Sequence, residues 1–267
     1  ACRMKTKRFD PVGWIVPILV IAVWWAVTRF GIVAPYQLPS PQTLARVLVD
    51  FATGWYGLTP YAGTMFLHLW HSLYRVLTGF ALAVVLGLPL GFATGRVRLL
   101  RRLLDPFLGL IRSVPGIGWL PIALVWFGVG EGNTRFLITL AAFFPIYLNT
   151  MQGAAGVPDL TARAGRMLGA RGLTLFATVI FPAAFAQIAV GLRLGLGVAW
   201  AYLVLGEVTG VTEGLGAVMT DGRMLGQVDI VLAAMIVIAI AGKLTDWLLC
   251  ALCRRISPTV RKGGRNA

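Results

Sequence analysis

The chain has 267 residues, of which 58% are hydrophobic and 13% charged, with a mean hydropathy of +0.80 and a net charge of +14. This composition is too apolar for an ordinary soluble domain. The basic residues lie between apolar runs and at the ends, which is typical of a membrane protein rather than of a nucleic-acid-binding surface. No further cysteine pair accompanies Cys2, Cys250 and Cys253 to complete a metal site, so we interpret the three as apolar fillers.

Apolar runs of about 20 residues predict six transmembrane helices, and therefore an all-α, polytopic membrane protein. The basic N-terminus, residues 1–12, leads into an apolar run too long for the h-region of a signal peptide, so we expect a permanent span there. A proline-rich turn and a short interfacial helix over 42–51 are predicted within residues 35–63. The spans are predicted at 13–34, 64–94, 103–129, 135–153, 175–207 and 228–253; a loop or re-entrant stretch covers 210–227, a five-helix core 64–255 and a basic tail 256–267.

Two of the predicted spans contain residues that weaken a helix unless a neighbour compensates. Gly87, Gly91 and Gly95 recur at a spacing of four in the second span, which lets another helix approach closely. The third span has two prolines and two glycines within residues 113–121, and these interrupt its backbone hydrogen bonds. We expect such a break where protein or a water-filled path satisfies the released groups.

The distribution of basic residues predicts the orientation of the spans. With the N-terminus inside, 16 of the 24 lysines and arginines fall on cytoplasmic segments, including a basic loop at 96–102, while 4 fall on outer segments and 4 within spans. Cytoplasmic loops of membrane proteins carry an excess of Lys and Arg, so this split favours six spans with both termini in the cytoplasm.

Three arginines within the predicted spans, Arg75, Arg112 and Arg193, have no acid four residues away on their own helices. An ionisable group at membrane depth is a candidate for function. If the three are unpaired, they line a positive path suited to an anion, because Arg presents a fork of donors to oxyanions. The alternative is that they snorkel, or pair with acids on other spans such as Asp105 or Glu207, and serve only packing.

Other polar groups in the spans have simpler interpretations. Lys243 has Asp246 three residues later, and we expect these two to form a structural pair near a helix end. His68 and His71 can share one face of the second span, but nothing else in the sequence completes a metal site. We therefore interpret the two histidines as interfacial polar groups and predict no metal.

The segment between the fourth and fifth spans, residues 158–171, predicts a short helix that docks onto something outside the membrane. Pro158 and Asp159 suit a first helical turn, because Pro lacks an N–H and a carboxylate favours the positive end of the helix dipole. Apolar residues then recur on one face, arginines line the rest and glycines allow a sharp exit. These residues are Leu160, Ala164, Met167 and Leu168; Arg163, Arg166 and Arg171; and Gly169 and Gly172. A basic loop with no partner is the alternative.

The chain supplies no energy source of its own. It has no G-x-x-x-x-G-K-[ST] motif, and Gly242-Lys243 is followed by Leu within an apolar run. If the protein pumps its cargo, a partner hydrolyses ATP, and the segment 158–171 is where that partner would act.

The order of residues at 163–170, 180–184 and 191–197 resembles the EAA signature of ABC importer permeases, in which this segment is the coupling helix. Further blocks resemble the permease subunits of nitrate, sulfonate and taurine importers. They are residues 38–41, 112–115, 119–128, 144–150 and 191–195, with the acid Glu207. One departure is that Arg163 and the pair Ala164-Gly165 stand where the family has Glu-Ala-Ala, so a contact that relies on the glutamate is replaced.

The resemblance implies a type I ABC importer permease fold in a bacterial inner membrane, working as a homodimer. Its other implied partners are two cytoplasmic ATPases, which bind ATP and Mg²⁺, and a periplasmic binding protein; this chain itself would hold no cofactor and catalyse no reaction. The implied coupling residues are Asp159, Leu160, Arg163, Ala164, Arg166, Met167, Leu168, Gly169, Ala170 and Arg171. The candidates for the translocation path are Arg75, Arg112, Ser113, Pro115, Asn149, Arg193 and Glu207.

Two other classes of function are to be compared with the importer. A stand-alone secondary anion carrier or channel would work without an ATPase, but ion coupling usually needs paired intramembrane acids. A membrane enzyme would need a cluster of catalytic side chains, and the sequence has no such pattern.

Overall fold

A computed structural model of the chain describes residues 12–34 and 36–256, and all regular structure in them is helical. The predicted basic N-terminus and basic tail lie, apart from Val12 and Ile256, outside the described residues. The elements are α1 (Val12–Arg29), α2 (Pro41–Thr53), α3 (Met65–Arg96), α4 (Arg98–Ser113), a 3₁₀ turn (Gly116–Trp119), α5 (Leu120–Phe127), α6 (Glu131–Ala155), α7 (Asp159–Met167), α8 (Gly172–Leu175), a π turn (Phe176–Ile180), α9 (Phe181–Glu207), α10 (Leu215–Met224) and α11 (Val228–Ile256).

The helices include the apolar segments that the sequence predicts as spans. α3, α6, α9 with its π turn, and α11 are each long and apolar enough to cross a membrane. α4 and α5 meet the same criteria as one broken span, and the described part of α1, Ile15–Arg29, is a shorter apolar helix. The prediction of an all-α polytopic membrane protein is thus confirmed.

Several boundaries differ from the predictions, and three of these differences change the connections between spans. α1 ends at Arg29 rather than at residue 34, and Gly31 follows with a φ of +66° that leaves the helical region. The predicted basic loop at 96–102 is instead the end of α3 and the start of α4. The predicted stretch 210–227 contains a helix, α10, which begins after Gly214 at a φ of +139°.

The third predicted span is two helices that meet at 89° rather than one straight helix. Val114 is extended because the ring of Pro115 disfavours a helical conformation in the residue before it, and Pro115 itself offers no N–H. At Gly116 an added Cβ would overlap the ring of Tyr202 on α9, so glycine leaves room for that side chain. The break predicted from the prolines and glycines therefore lies against α9.

The described helices form two compact units. The first unit consists of Arg75–Gly206 together with residues 242–256, and the second consists of residues 12–74 together with Glu207–Ala241.

In the first unit, α6 packs closely against both α3 and α9. An added Cβ at Gly91 of α3 would lie 2.8 Å from the carbonyl oxygen of Tyr147 and 2.7 Å from Cβ of Thr150. On α9, an added Cβ at Gly191 would lie 3.0 Å from the carbonyl oxygen of Pro145. Small residues allow this approach, which is how helices gain contact area in lipid. The close approach predicted for the α3 glycines is confirmed.

In the second unit, the amphipathic helix α2 lies on α10 and α11. Its buried face contributes Leu44, Val47 and Phe51 to an apolar core with Leu215 and Ile230. Ser40 caps the helix, because its hydroxyl accepts the N–H of Thr43. The structure thus has a helix, Pro41–Thr53, where the sequence predicts one over 42–51.

Asp50, on the same helix, organises the turn that follows it. Its carboxylate is buried and accepts N–H groups from Tyr56, Gly57 and Leu58, each at 2.8 Å. Burial alone would raise the pKa of Asp50, but these backbone donors outweigh burial and hold the pKa below the ordinary 3.8. The ionised carboxylate therefore stabilises the turn.

Replacing Gly91 with Ala should destabilise the first unit by about 1–3 kcal/mol, because the backbone oxygen of Tyr147 cannot move aside as a flexible side chain can. The matched control is Gly109→Ala on α4, where an added Cβ meets nothing within 4 Å. The control should be neutral or slightly stabilising. Thermal unfolding of both purified variants checks this, and an equal shift in Tm would contradict the packing described for α3 and α6.

Replacing Asp50 with Asn should lower the Tm at neutral pH, because an amide oxygen accepts the three N–H groups less strongly and its NH₂ faces donors. The pKa of Asp50 is lowered in the folded protein. The ionised carboxylate's contribution to stability is therefore complete above pH 3.8, the ordinary pKa, and is lost as the pH falls through the lowered pKa of the folded state. The difference in Tm between wild type and variant should therefore narrow in acid. A difference that is constant with pH would contradict the role of the charge.

Candidate functional site

The predicted coupling segment is a short helix, α7, with a defined start and end. Asp159 lies in its first turn, where a carboxylate favours the helix dipole. At its other end Ala170 N–H donates to the carbonyl of Gly165 and Gly169 N–H donates to that of Arg166, which together form a Schellman motif. Gly169 has a φ of +88°, a conformation that side chains disfavour. The glycine expected here from the signature is thus the residue that terminates α7.

The inner face of α7 packs against the start of the fifth span. Ala162 is buried, and an added Cβ at Gly165 would lie 2.9 Å from Leu175 Cδ1 and 2.9 Å from Val179 Cγ2. Leu175 ends α8 and Val179 belongs to the π turn that leads into α9. α7 and the entry to the fifth span are therefore in direct contact.

The outer face of α7 is apolar, basic and uncovered. Leu160 is 78% exposed, and Met167 and Leu168 are each 89% exposed. These exposures are high for large apolar side chains and are typical of a surface that binds a partner. The exposed members of the predicted coupling set are Asp159, Leu160, Arg163, Ala164, Arg166, Met167, Leu168, Gly169 and Arg171; Ala170 is half-buried.

Arg75, a predicted path residue, is paired. It is 2% exposed, and its Nε donates to Oε1 of Glu131 at 2.7 Å. Arg135 Nη2 donates to the other oxygen of Glu131 at 2.9 Å. Of the two alternatives that the sequence leaves open, Arg75 therefore follows the second, pairing with an acid on another helix. That acid lies on α6, and no spacing within α3 could reveal it.

Arg193 is paired as well. Its Nε and Nη2 donate to the two carboxylate oxygens of Asp246 on α11, at 2.8 and 2.9 Å. The sequence predicts Lys243 as the partner of Asp246. The main partner is instead Arg193, which donates to both carboxylate oxygens. A forked guanidinium matches a carboxylate with two parallel bonds, which one ammonium cannot do.

The remaining path candidates of the first unit lie at the end of α4, in the break that follows it, and on α6. Arg112, Ser113 and Pro115 are exposed at the break of the third span, and Ser113 Oγ donates to the carbonyl of Leu110. Asn149 is half-buried, donates to the carbonyl of Pro145 on its own helix, and accepts a hydrogen bond from Gln187 of α9. Ser113 and Asn149 thus each donate to a carbonyl of their own helix, and Asn149 also links α6 to α9.

Glu207, the last path candidate, belongs to the second unit and is 1% exposed. Ser72 Oγ donates to its carboxylate at 2.8 Å, and the Gly216 N–H donates at 2.8 Å. Ser72 Oγ in turn accepts the Leu215 N–H at 2.9 Å. The buried glutamate thus fixes the first turn of α10. Ser72 gives no signal in the sequence, because 135 residues separate it from Glu207.

The two histidines of α3 also hold the entry to α10. His68 Nδ1 accepts the Gly214 N–H at 3.1 Å, and His71 Nε2 lies 2.7 Å from Glu213 Oε2. In the part of the chain that the structure describes, no group of three or more His, Cys, Asp and Glu side chains could hold a metal ion. The histidines therefore have structural partners in the segment that enters α10.

Comparison with known protein families identifies one match. The family described as "Binding-protein-dependent transport system inner membrane component" matches residues 83–258, about two thirds of the chain. The match includes α7, both partners of the Arg193–Asp246 pair, and the broken span.

Individual relatives are similar along nearly the whole chain. The putative aliphatic sulfonates transport permease protein SsuC of Bacillus subtilis is 35% identical over 260 residues, covering 96% of this chain and 91% of the relative. The taurine transport system permease protein TauC of Escherichia coli is 37% identical over 240 residues, covering 90% and 86%. The nitrate import permease protein NrtB of Synechocystis is 31% identical over 255 residues, covering 92% and 90%.

Replacing Ser72 with Ala should destabilise the second unit by about 1–3 kcal/mol, because the buried Leu215 N–H and Glu207 each lose a partner. The matched control is Ser113→Ala, since Ser113 is exposed and donates only to a carbonyl of its own helix. Hydrogen exchange of the α10 amides reports the effect. Equal exchange rates in the two variants would argue against this network.

Proposed function

The chain belongs to the family of binding-protein-dependent transport system inner membrane components, and from that premise we propose that it is the permease subunit of an ATP-driven importer of small anions. Relatives that cover 90% or more of this chain are named for the transport of aliphatic sulfonates, taurine and nitrate. We therefore take the cargo to be a sulfonate, taurine, nitrate or a related organic anion. As a membrane permease, the chain moves its cargo without chemical change.

The observation that carries the proposal is the uncovered outer face of α7. Met167 and Leu168 are large apolar side chains that expose nearly nine tenths of their surface, while the opposite face of the same helix is packed on the fifth span. A stand-alone carrier has no use for such a surface outside the membrane. A permease driven by a separate ATPase requires one.

The proposed assembly has three kinds of polypeptide: this permease, a binding protein and an ATPase. A second copy of this chain completes the pore, and a periplasmic binding protein delivers the cargo. Two cytoplasmic ATPases bind ATP and Mg²⁺, because this chain carries no phosphate-binding loop. The excess of basic residues on the segments 96–102 and 163–171 supports an inner-membrane orientation with both termini in the cytoplasm.

In the proposed mechanism α7 is a lever. Closure of the ATPases on ATP moves α7, and the tight contact of Gly165 with Leu175 and Val179 transmits the motion to the start of the fifth span. Positive φ angles at Gly169 and Gly172 set the sharp turn between the lever and that span. The spans then expose the path to one side of the membrane at a time.

The basic residues of α7 indicate the charge of the ATPase surface. Arg163 stands where the family has a glutamate, and Arg163, Arg166 and Arg171 are all exposed. We propose that the ATPase groove presents acids to these arginines around an apolar pocket for Met167 and Leu168. Charged groups at the rim mainly select the partner, and the buried apolar anchors supply most of the affinity.

Replacing Met167 with Asp should abolish coupling, because a carboxylate placed against the apolar groove loses its hydration without gaining a partner. Cargo-stimulated ATP hydrolysis by the reconstituted complex should fall by about tenfold or more, which corresponds to about 1.4 kcal/mol. Membrane insertion of the permease should be unchanged.

Thr161→Asp is the control for this variant. Thr161 is exposed on the same helix, at the edge of the outer face, so the control adds the same charge away from the apolar anchors. Hydrolysis should stay near the wild-type rate. Equal hydrolysis in the two variants would mean that Met167 does not dock.

A further inference from the structure

A crevice between α9 and α11 in the first unit contains one cation and one anion in apolar surroundings. Its volume is about 390 Å³, within the range of small-molecule sites. Arg193 and Asp246 line it together with residues that are otherwise only Val, Leu and Gly. Both charged residues lie in the interior of long apolar helices, well away from the helix ends.

The crevice is open because two helix positions that border it carry no side chain. At Gly197 an added Cβ would meet nothing within 4 Å, and at Gly242 it would only reach the ring of Trp200 at 3.7 Å. A larger residue could fill either place without a clash. Close packing of α9 against α11 therefore does not require glycine at either position, and the space beside the ion pair is not a by-product of that packing.

The ion pair is accessible from this space. The side chains of Arg193 and Asp246 are 36% and 26% exposed, although the two bonds between them are short and parallel. Both charged ends of the pair are thus within reach of a molecule in the crevice.

The energetics of the pair select the kind of ligand. A simple anion that takes the guanidinium of Arg193 leaves the carboxylate of Asp246 without its two hydrogen bonds at membrane depth, with only the charge of Lys243 one turn earlier on α11 to compensate it, which is unfavourable. A molecule with both an anionic and an ammonium group replaces each half of the pair with an equivalent one. The exchange then leaves no charge uncompensated.

We infer that this crevice is a cargo subsite for zwitterions, in which Arg193 binds the sulfonate or carboxylate of the ligand and Asp246 binds its ammonium group. The apolar walls suit a short methylene linker between the two charges. The inference rests on the proposed importer function and narrows its cargo to amino sulfonates or ω-amino acids.

The test uses the purified permease–ATPase complex in lipid nanodiscs, without a binding protein, so that only the permease selects. Radiolabelled 2-aminoethanesulfonate is the probe, and ethanesulfonate, ethylamine and β-alanine compete with it. Each singly charged competitor should bind at least about tenfold more weakly than the probe, since each leaves one half of the pair unmatched. β-Alanine distinguishes a carboxylate from a sulfonate preference. Absence of probe binding, or ethanesulfonate competing as well as the unlabelled probe, would overturn the inference.

Two variants separate a ligand site from a structural ion pair. Asp246→Asn should reduce affinity for 2-aminoethanesulfonate to that for ethanesulfonate. The double variant Arg193→Met with Asp246→Leu removes both charges together, and a purely structural pair tolerates such an apolar replacement. We expect the double variant to lose probe binding while its Tm stays within a few degrees of wild type. Unchanged binding in either variant would overturn the inference.

Arg101→Gln is the matched control, because it breaks an exposed ion pair with Asp105 away from the crevice and should leave probe binding unchanged. ATP-dependent uptake into proteoliposomes is measured separately with the binding protein present. Uptake of simple anions without probe binding would retain the importer and refute the subsite. Probe binding without any ATP-dependent uptake would retain the subsite and refute the importer.

Discussion

Close contact between helix backbones is the constraint on which the first unit depends. Apolar side chains gain little by leaving lipid for protein, so helices associate there through tight packing and internal hydrogen bonds. α6 achieves this contact on two sides, at Gly91 of α3 and at Gly191 of α9, where neighbouring backbone atoms leave room for a hydrogen only. α7 follows directly from α6, so the same packing that holds α6 determines where α7 begins.

Charge compensation is the second organising feature, and it changes the meaning of the arginines. Arg75 and Arg193 each find an acid on another helix, so neither is a fixed positive site that simply attracts anions. The Arg75 side chain is itself buried although that of Glu131 is 44% exposed, whereas the Arg193 side chain is 36% exposed and borders an open crevice. Two residues with the same sequence signal therefore have different surroundings, and of these two arginines only Arg193 is itself open to an adjoining space.

The sequence predicts those parts of the structure that have a local cause. Hydropathy runs predict the long helices, the glycine spacing of α3 predicts its close contact with a neighbour, and the prolines near residue 115 predict a break. The 89° bend is not predictable in this way, because it depends on Tyr202 of α9. The partners of Arg193 and Ser72 are equally hidden, since they lie 53 and 135 residues away and follow no helical period.

We propose that α7 seats in a cytoplasmic ATPase and moves the fifth span. A photo-crosslinking residue in place of Met167, 89% exposed at the end of α7, tests this most directly in native membranes. The account predicts a cross-link to the ATPase polypeptide whose yield changes when ATP is added. A cross-link to lipid alone, or a yield independent of nucleotide, would contradict it.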